Sequence, residues 1–373
     1  ISTEKMFNDI EKTVEQMLRE HNIRFKMSVE PAVIVGNEDL LKSLFMNIID
    51  NGRKAISGQG IIALKAIKTE KGYTVFIQDN GCGMEKSEIK KITEAFYMID
   101  KAKEQGILKD GMPIIEATSG NTGIAISALG SYYKHPVYIF MPDWSSVERV
   151  KLMEFYGAHV SLISKQDGGF IKCLEEARHT AEQLNGFLVN QFSNVNNTLA
   201  HYETTGEEII NQLPEKVCAF TSGVGTGGTL MGVGKRLKKW NENIEIIALE
   251  PDKMPIISKN RILDNHKIEG IGDEFVPELL DKNFLDGVIL VNDEDAINMS
   301  RKLAKVLGLG VGISSGANMI ASILYQEKVN KPVVTVFPDD NKKYLSTSLS
   351  KPIVSNSNFV SNKIELLNYV ALF

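Results

Sequence analysis

Three short stretches of small and hydroxylated residues could do chemistry. The first is Thr118-Ser119-Gly120-Asn121-Thr122-Gly123, between the apolar run Pro113-Ile114-Ile115-Glu116-Ala117 and the helix-like run Ile124-Ala125-Ile126-Ser127-Ala128-Leu129. A strand, a tight turn and a helix start in that order gather backbone N–H groups and hydroxyls around an anion, either a carboxylate or a phosphate. The second is Gly223-Val224-Gly225-Thr226-Gly227-Gly228-Thr229. It offers clustered N–H groups, two hydroxyls and the positive end of a helix. It lacks the lysine of a Walker loop and the acidic partner of a dinucleotide ribose, so a lone phosphate monoester fits it best. The third, Gly312-Ile313-Ser314-Ser315-Gly316, places two hydroxyls at another helix entry, where one could face a heteroaromatic nitrogen or simply cap the helix. Two glycine turns in one body suit a ligand with two polar ends.

The elements that must position these turns have an α/β rhythm. From about residue 100 to 347, short apolar strands at 114–117, 137–141, 159–163, 187–189, 217–221, 244–249, 288–291 and 333–337 alternate with amphipathic helices. This pattern predicts mostly parallel sheets with helices on both faces. Ligands of such sheets sit beyond the carboxyl ends of the strands, where both glycine turns fall. The spacing predicts one helix over 197–212 and another over 317–326.

The first hundred residues read differently. Helices are predicted over 8–20 and 38–55, a short strand at 33–35, and an antiparallel hairpin from 60–67 and 73–78. Asn47 and Asn51 stand four residues apart on one helix, where two amides could help hold a hydrated divalent ion or merely hydrate the helix. Asp79 closes a strand and could accept from an exocyclic amine. Gly81 and Gly83 would let backbone approach a flat base, although Asp-Asn-Gly is also an ordinary turn.

Bulk properties narrow the classes. The chain has 373 residues, 43% hydrophobic and 24% charged, with a formal net charge of -5. That is a multidomain globular composition with no nucleic-acid footprint. No apolar run approaches the roughly 20 residues that span a bilayer. Cys82, Cys173 and Cys218 are widely spaced and form no metal or redox pair, and Ile1-Ser2-Thr3-Glu4-Lys5 has no apolar leader segment. A cytoplasmic protein without membrane or nucleic-acid partners, and without a protein-bound metal, is expected.

Two resemblances follow from these motifs. Ile115-Glu116-Ala117-Thr118-Ser119-Gly120-Asn121-Thr122-Gly123, Gln191-Phe192-Ser193-Asn194, Ala200-His201-Tyr202-Glu203-Thr204-Thr205-Gly206, residues 225–229, Gly270-Ile271-Gly272, residues 312–316 and Pro338-Asp339-Asp340 are similar to motifs of the cysteine synthase and cystathionine β-synthase group of pyridoxal-phosphate enzymes, fold type II, in family order over about 98–347. The resemblance implies that Gly225, Thr226, Gly227, Gly228 and Thr229 bind the cofactor phosphate. It implies that Ser314 faces the pyridine nitrogen and Asn121 the ring hydroxyl, and that Thr118, Ser119, Thr122 and Gln191 hold an amino-acid carboxylate. The implied reaction is β-replacement on an O-activated serine or related amino acid through aminoacrylate, with a thiol or sulfide as second substrate, in a homodimer. Such chemistry needs a Schiff-base lysine. The family's lysine segment is not matched, and ungapped counting places that lysine at Lys91.

The second resemblance is to the ATP-binding domain of sensor histidine kinases, over about 5–101. It is carried by Asn47-Ile48-Ile49-Asp50-Asn51-Gly52, Asp79-Asn80-Gly81-Cys82-Gly83-Met84 and the segment 91–101. It implies an incomplete α/β sandwich, Mg-ATP at Asn47, Asn51, Asp79, Gly81 and Gly83, and an organisation of 1–101 (ATP-binding fragment), 102–212 (small cofactor and substrate domain), 213–347 (large cofactor domain) and 348–373 (tail). An Mg-ATP-binding module, or an inactive fusion of two incomplete domains, are the alternatives to the enzyme.

Overall fold

The computed structural model describes residues 1–36, 38–56, 58–69, 72–81, 97–213, 217–352 and 356–368. The chain divides into two compact units, Ile1–Ile92 and Thr93–Phe373.

The first unit runs α1 (Thr3–Glu20), β1 (Ile23–Val29), α2 (Glu38–Ala55), β2 (Gly60–Thr69) and β3 (Gly72–Asp79). Phe7, Ile10, Val14 and Leu18 recur at helical spacing on α1 and are buried, with Phe45 and Ile49 of α2, against Ile62, Leu64 and Ala66 of β2. The sheet order is β1-β2-β3, with β1 parallel and β3 antiparallel to β2. The strand expected at 33–35 does not form. Val33 makes one isolated bridge to Ser2, and both Val33 and Val35 are exposed. Beyond that bridge, Ile34 exchanges backbone bonds with Ile1, at 3.0 and 2.8 Å, and a pairing this short does not extend into a strand among the described residues.

The second unit begins with α3 (Tyr97–Glu104) and holds two parallel four-stranded sheets. The first contains β4 (Ile114–Ala117), β5 (Val137–Pro142), β6 (His159–Ile163) and β7 (Phe187–Leu188) in the order β6-β5-β4-β7. Its helices are α4 (Asn121–Tyr133), α5 (Val147–Phe155) and α6 (Gly169–Gln183). Two further helices, α7 (Val195–Glu203) and α8 (Thr205–Gln212), lead to β8 (Ala219–Gly223), α9 (Gly228–Trp240) and β9 (Glu245–Pro251). β10 (Gly287–Val291), α10 (Asp293–Leu307), α11 (Ile313–Val329) and β11 (Val333–Thr335) complete a sheet ordered β10-β9-β8-β11.

The sheets are buried on both faces, as their unbroken apolar runs require. Ile114, Ile115, Ile139 and Met141 are inaccessible in the first sheet, and Phe220, Ile246, Ile247 and Leu249 in the second. The single helix expected over 197–212 is two helices. Thr204 leaves helical geometry at φ -120°, ψ -81°, and its hydroxyl bonds back to the Ala200 carbonyl at 2.6 Å. The helix expected from 317 begins four residues earlier, at Ile313. No helix of the described residues is long and apolar enough to cross a membrane.

Candidate active site

The three stretches singled out in the sequence line one cavity of about 420 Å³ inside the second unit. Thr118, Ser119, Asn121 and Thr122 reach it from the end of β4 and the start of α4. Gly225, Thr226, Gly227 and Thr229 reach it from the turn between β8 and α9, Ser314 from the first turn of α11, and Gln191 from the loop after β7. Gly228 opens α9 behind that turn. Ser314 and Ser315 are no caps: Gly312 is the N-cap and receives no side-chain bond.

Each contributor is held by bonds that follow from its position. Glu116 is fully buried at the end of β4, and its two oxygens accept from the N–H groups of Ala117 at 2.8 Å and Gln191 at 3.0 Å. Burial pushes its carboxyl up to about 8, with those N–H groups pulling the other way. The Gln191 side chain donates to the Ala117 carbonyl at 2.8 Å, joining the loop after β7 to the loop after β4. Thr118 Oγ1 accepts from Gly120 N–H at 3.1 Å and closes the first turn. Asn121 gives one amide hydrogen to Asp339 at 3.0 Å and accepts from Lys343 at 2.9 Å, leaving one N–H for a ligand.

The turn between β8 and α9 has the make-up of an anion cradle: glycines, two hydroxyls and the start of a helix. Gly227 sits at φ +83°, a left-handed backbone that glycine adopts without strain, and a Cβ on Gly225 would stand 2.4 Å from the Gly270 carbonyl oxygen. His201 of α7 reaches Thr229 Oγ1 with Nε2 at 3.1 Å and Thr205 Oγ1 with Nδ1 at 3.0 Å. Burial lowers its pKa to about 4, so the ring is neutral and one nitrogen donates while the other accepts. If Thr205 donates to Nδ1, Nε2–H donates to Thr229, whose own hydrogen is then free for an anion. Among the described residues no lysine lines the cavity. The N–H groups, hydroxyls and helix end therefore carry the charge complementarity, which fits the phosphate of pyridoxal phosphate.

Three residues of the cavity wall, Arg149, Glu269 and Asp273, escaped the sequence reading, whereas Tyr344 belongs to a motif, Tyr344-Leu345-Ser346, that also resembles the family. Arg149 of α5 is 1% exposed; it donates to the Ser119 carbonyl at 3.2 Å, pairs with Glu269, and stacks 4.4 Å from the Tyr344 ring centre. The Tyr344 hydroxyl donates to Asp339 at 2.6 Å. Asp273, half-buried, also lines the cavity, and desolvation pushes its carboxyl up to about 6, helped by Glu274. Among the described residues there is no group of three or more His, Cys, Asp or Glu that could hold a metal ion.

Two expected residues cannot be placed. Lys91 and Gly83 lie outside the described residues, and the side chains of Asn47 and Asn51 do as well. Lys101 and Lys103 are spoken for elsewhere: Lys101 pairs with Glu104, and Lys103 with Asp110 and the Tyr133 ring. In the first unit Asp79 is exposed, accepts from Gly81 N–H at 2.9 Å, and stands beside Gly52 of α2.

Residues 54–339 match the model of the pyridoxal-phosphate dependent enzyme family. The chain belongs to that family. Staphylococcus aureus cysteine synthase is 38% identical over 309 residues, which are 81% of this chain and 97% of the relative. A hydrogen sulfide-producing enzyme from Fusobacterium nucleatum has a solved structure that is 43% identical, with a TM-score of 0.69, covering 86% of this chain and 96% of that one. A mutant of it in complex with an α-aminoacrylate intermediate is 42% identical with a TM-score of 0.70, covering 85% and 96%. The family match starts at residue 54, well before the boundary near 98 that the motifs suggested. Pyridoxal-phosphate enzyme character therefore extends over part of the segment assigned above to a kinase-like fragment. The chain is a pyridoxal-phosphate-dependent β-replacement enzyme of the cysteine synthase group.

Proposed function

We propose that the chain replaces the β-substituent of an O-activated serine or related amino acid by a thiol or sulfide, forming cysteine or a thioether through aminoacrylate. The observation that carries this reading is the convergence on one cavity of a carboxylate-type loop, an anion cradle and the Ser314 hydroxyl. Pyridoxal phosphate, when bound, supplies the electron sink for loss of the β-substituent.

The residues of the chain supply the rest. Thr118, Ser119, Thr122 and Gln191 hold the amino-acid carboxylate, so the reacting carbons are presented in one orientation. The N–H groups of Gly225, Thr226, Gly227 and Thr229 and the Thr226 and Thr229 hydroxyls hold the phosphate, while Gly228 N–H closes the turn onto Thr226 Oγ1. Ser314 bonds the pyridine nitrogen, and the free N–H of Asn121 bonds the ring oxygen. In this reading 102–212 form the small domain and 213–347 the large one, the tail 348–373 adds no chemistry, and the enzyme is a cytoplasmic homodimer.

Lys91 is the Schiff-base residue in this proposal. Its residue type and its place six positions before Tyr97, a cavity residue, support it, as does the engagement of Lys101 and Lys103 elsewhere. Borohydride reduction of the reconstituted chain followed by peptide mapping tests it. Label on Lys91, with product formed from O-acetylserine and sulfide, is expected. Label on another lysine replaces Lys91 and keeps the function. No label and no product would leave an inactive fusion.

A second reading applies to the first unit. The exposed Asp79 carboxylate beside Gly52, next in sequence to Asn51, supports Mg-ATP binding with Asn47, Asn51, Asp79, Gly81 and Gly83. Titration with Mg-ATP decides it: saturable binding lost in Asp79→Asn supports the kinase-like module, and absence of binding removes it.

A further inference from the structure

Asn197, in the first turn of α7, spends a single nitrogen on both halves of the cavity. Its Nδ2 donates to the Gln191 carbonyl at 2.9 Å and to Thr226 Oγ1 at 2.9 Å. The Gln191 carbonyl can only accept, so it fixes which end of the carboxamide faces it, and both amide hydrogens are consumed. Thr226 Oγ1 also accepts from Gly228 N–H at 3.2 Å. A hydroxyl oxygen has two lone pairs. With a donor on each, the Thr226 hydrogen has to be given away, and Thr226 lines the cavity. Asn197 thus turns Thr226 into an obligate donor.

The other hydrogen of the same nitrogen anchors the Gln191 backbone, whose N–H is already fixed by buried Glu116 at 3.0 Å. The close packing that permits this is specific. A Cβ on Gly228 would lie 2.0 Å from Asn197 Oδ1, so only glycine admits the carboxamide there.

We infer that Asn197 is a positioning residue that couples the two subsites: it commits Thr226 to donate to a phosphate-class dianion and, through the same nitrogen, sets the segment carrying Gln191 toward the amino-acid carboxylate. The inference rests on reading residues 225–229 as the phosphate cradle. Asn197→Asp keeps the shape but presents an acceptor to both partners, so the Thr226 hydrogen turns back toward the carboxylate and away from the cavity. Asn197→Ala removes the donor without adding charge.

The test is a fluorescence titration of the full, cofactor-stripped chain with pyridoxal phosphate, with inorganic phosphate as competitor. It is run on Asn197→Ala, Asn197→Asp, Thr226→Ala and the Asn197→Ala/Thr226→Ala pair. Each single change is expected to weaken cofactor binding by about tenfold, the size of one charge-assisted hydrogen bond. The pair is expected to be no weaker than its worse member, because both act through one hydroxyl. Asn197→Ala should also raise the KM for the amino acid severalfold with kcat little changed, whereas Thr226→Ala should leave that KM alone. Additive losses in the pair, or an Asn197→Ala chain that binds cofactor as the unaltered chain does while Thr226→Ala does not, overturn the coupling. A Thr226→Ala chain with unchanged cofactor affinity overturns the phosphate-cradle reading itself. Should Asn197→Ala fail to fold, the isosteric Asn197→Asp decides by the same criteria.

Discussion

Replacing Arg149 by methionine separates electrostatics from packing at the floor of the cavity. The guanidinium is 1% exposed and faces Glu269, the Ser119 carbonyl and the Tyr344 ring. Methionine refills most of the volume, so the hydrophobic part of the cost is small. The loss is the buried cation. Burial already raises the Glu269 pKa, and Arg149 is the main influence lowering it. Among the described residues Arg149 is the only cation paired with Glu269, and breaking a buried pair from one side costs about 3–5 kcal/mol. The sign with pH follows from linkage. Below the ordinary glutamate range Glu269 is protonated in both folded and unfolded chains, and the penalty is absent. As pH rises, the unfolded chain releases the proton first, and the variant loses stability until its raised folded pKa is passed. Both tryptophans, Trp144 and Trp240, lie in the second unit, so their fluorescence in a urea titration reports that unit alone. The expected deficit is about 3 kcal/mol at about pH 8 and much less at about pH 5, and Arg149→Met/Glu269→Leu should recover most of it. A deficit under about 1 kcal/mol at the higher pH, or a double variant as weak as the sum of its parts, would refute the reasoning.

Two more expectations concern the cavity wall. Asp273 is neutral below about 6 and anionic above it, so a rate limb near that pH should be present in kcat/KM and absent in Asp273→Asn; a limb that survives the change belongs to another group. Gly225→Ala puts a methyl 2.4 Å from the Gly270 carbonyl oxygen, which is backbone and cannot rotate away. The two loops must part by about 1 Å, and cofactor affinity, measured by equilibrium dialysis, should fall by about tenfold or more; an unchanged affinity would show that the cradle tolerates the shift.

Much of the fold was legible because its signals are local. The apolar runs that become β4, β5, β8 and β9 are short and unbroken, as strands buried on both faces must be, and the helix at Asp293–Leu307 carries its own cap in Asn292. The errors arose where a distant partner decides. Val33–Val35 has strand-like residues but only one bridge, and the break at Thr204 comes from one residue leaving helical geometry inside a continuous apolar pattern. The resemblance to the pyridoxal-phosphate enzymes was read from motifs over about 98–347, while the family match begins at 54 and the compact units divide after Ile92.

The sequence alone determined the cavity's types of chemistry: small residues, hydroxyls and glycine turns at 118–123, 225–229 and 312–316, each at the start of a helix. Tertiary structure decided which of them meet. It brought Arg149 from α5 under Ser119, Asp273 to the cavity wall, and Asn197 between Gln191 and Thr226. Those residues are 30, 6 and 29 positions apart along the chain, or lie on turns that share no motif with their partners. Hydrogen-bond direction and desolvation depend on neighbours in space, and no local pattern in the chain encodes them.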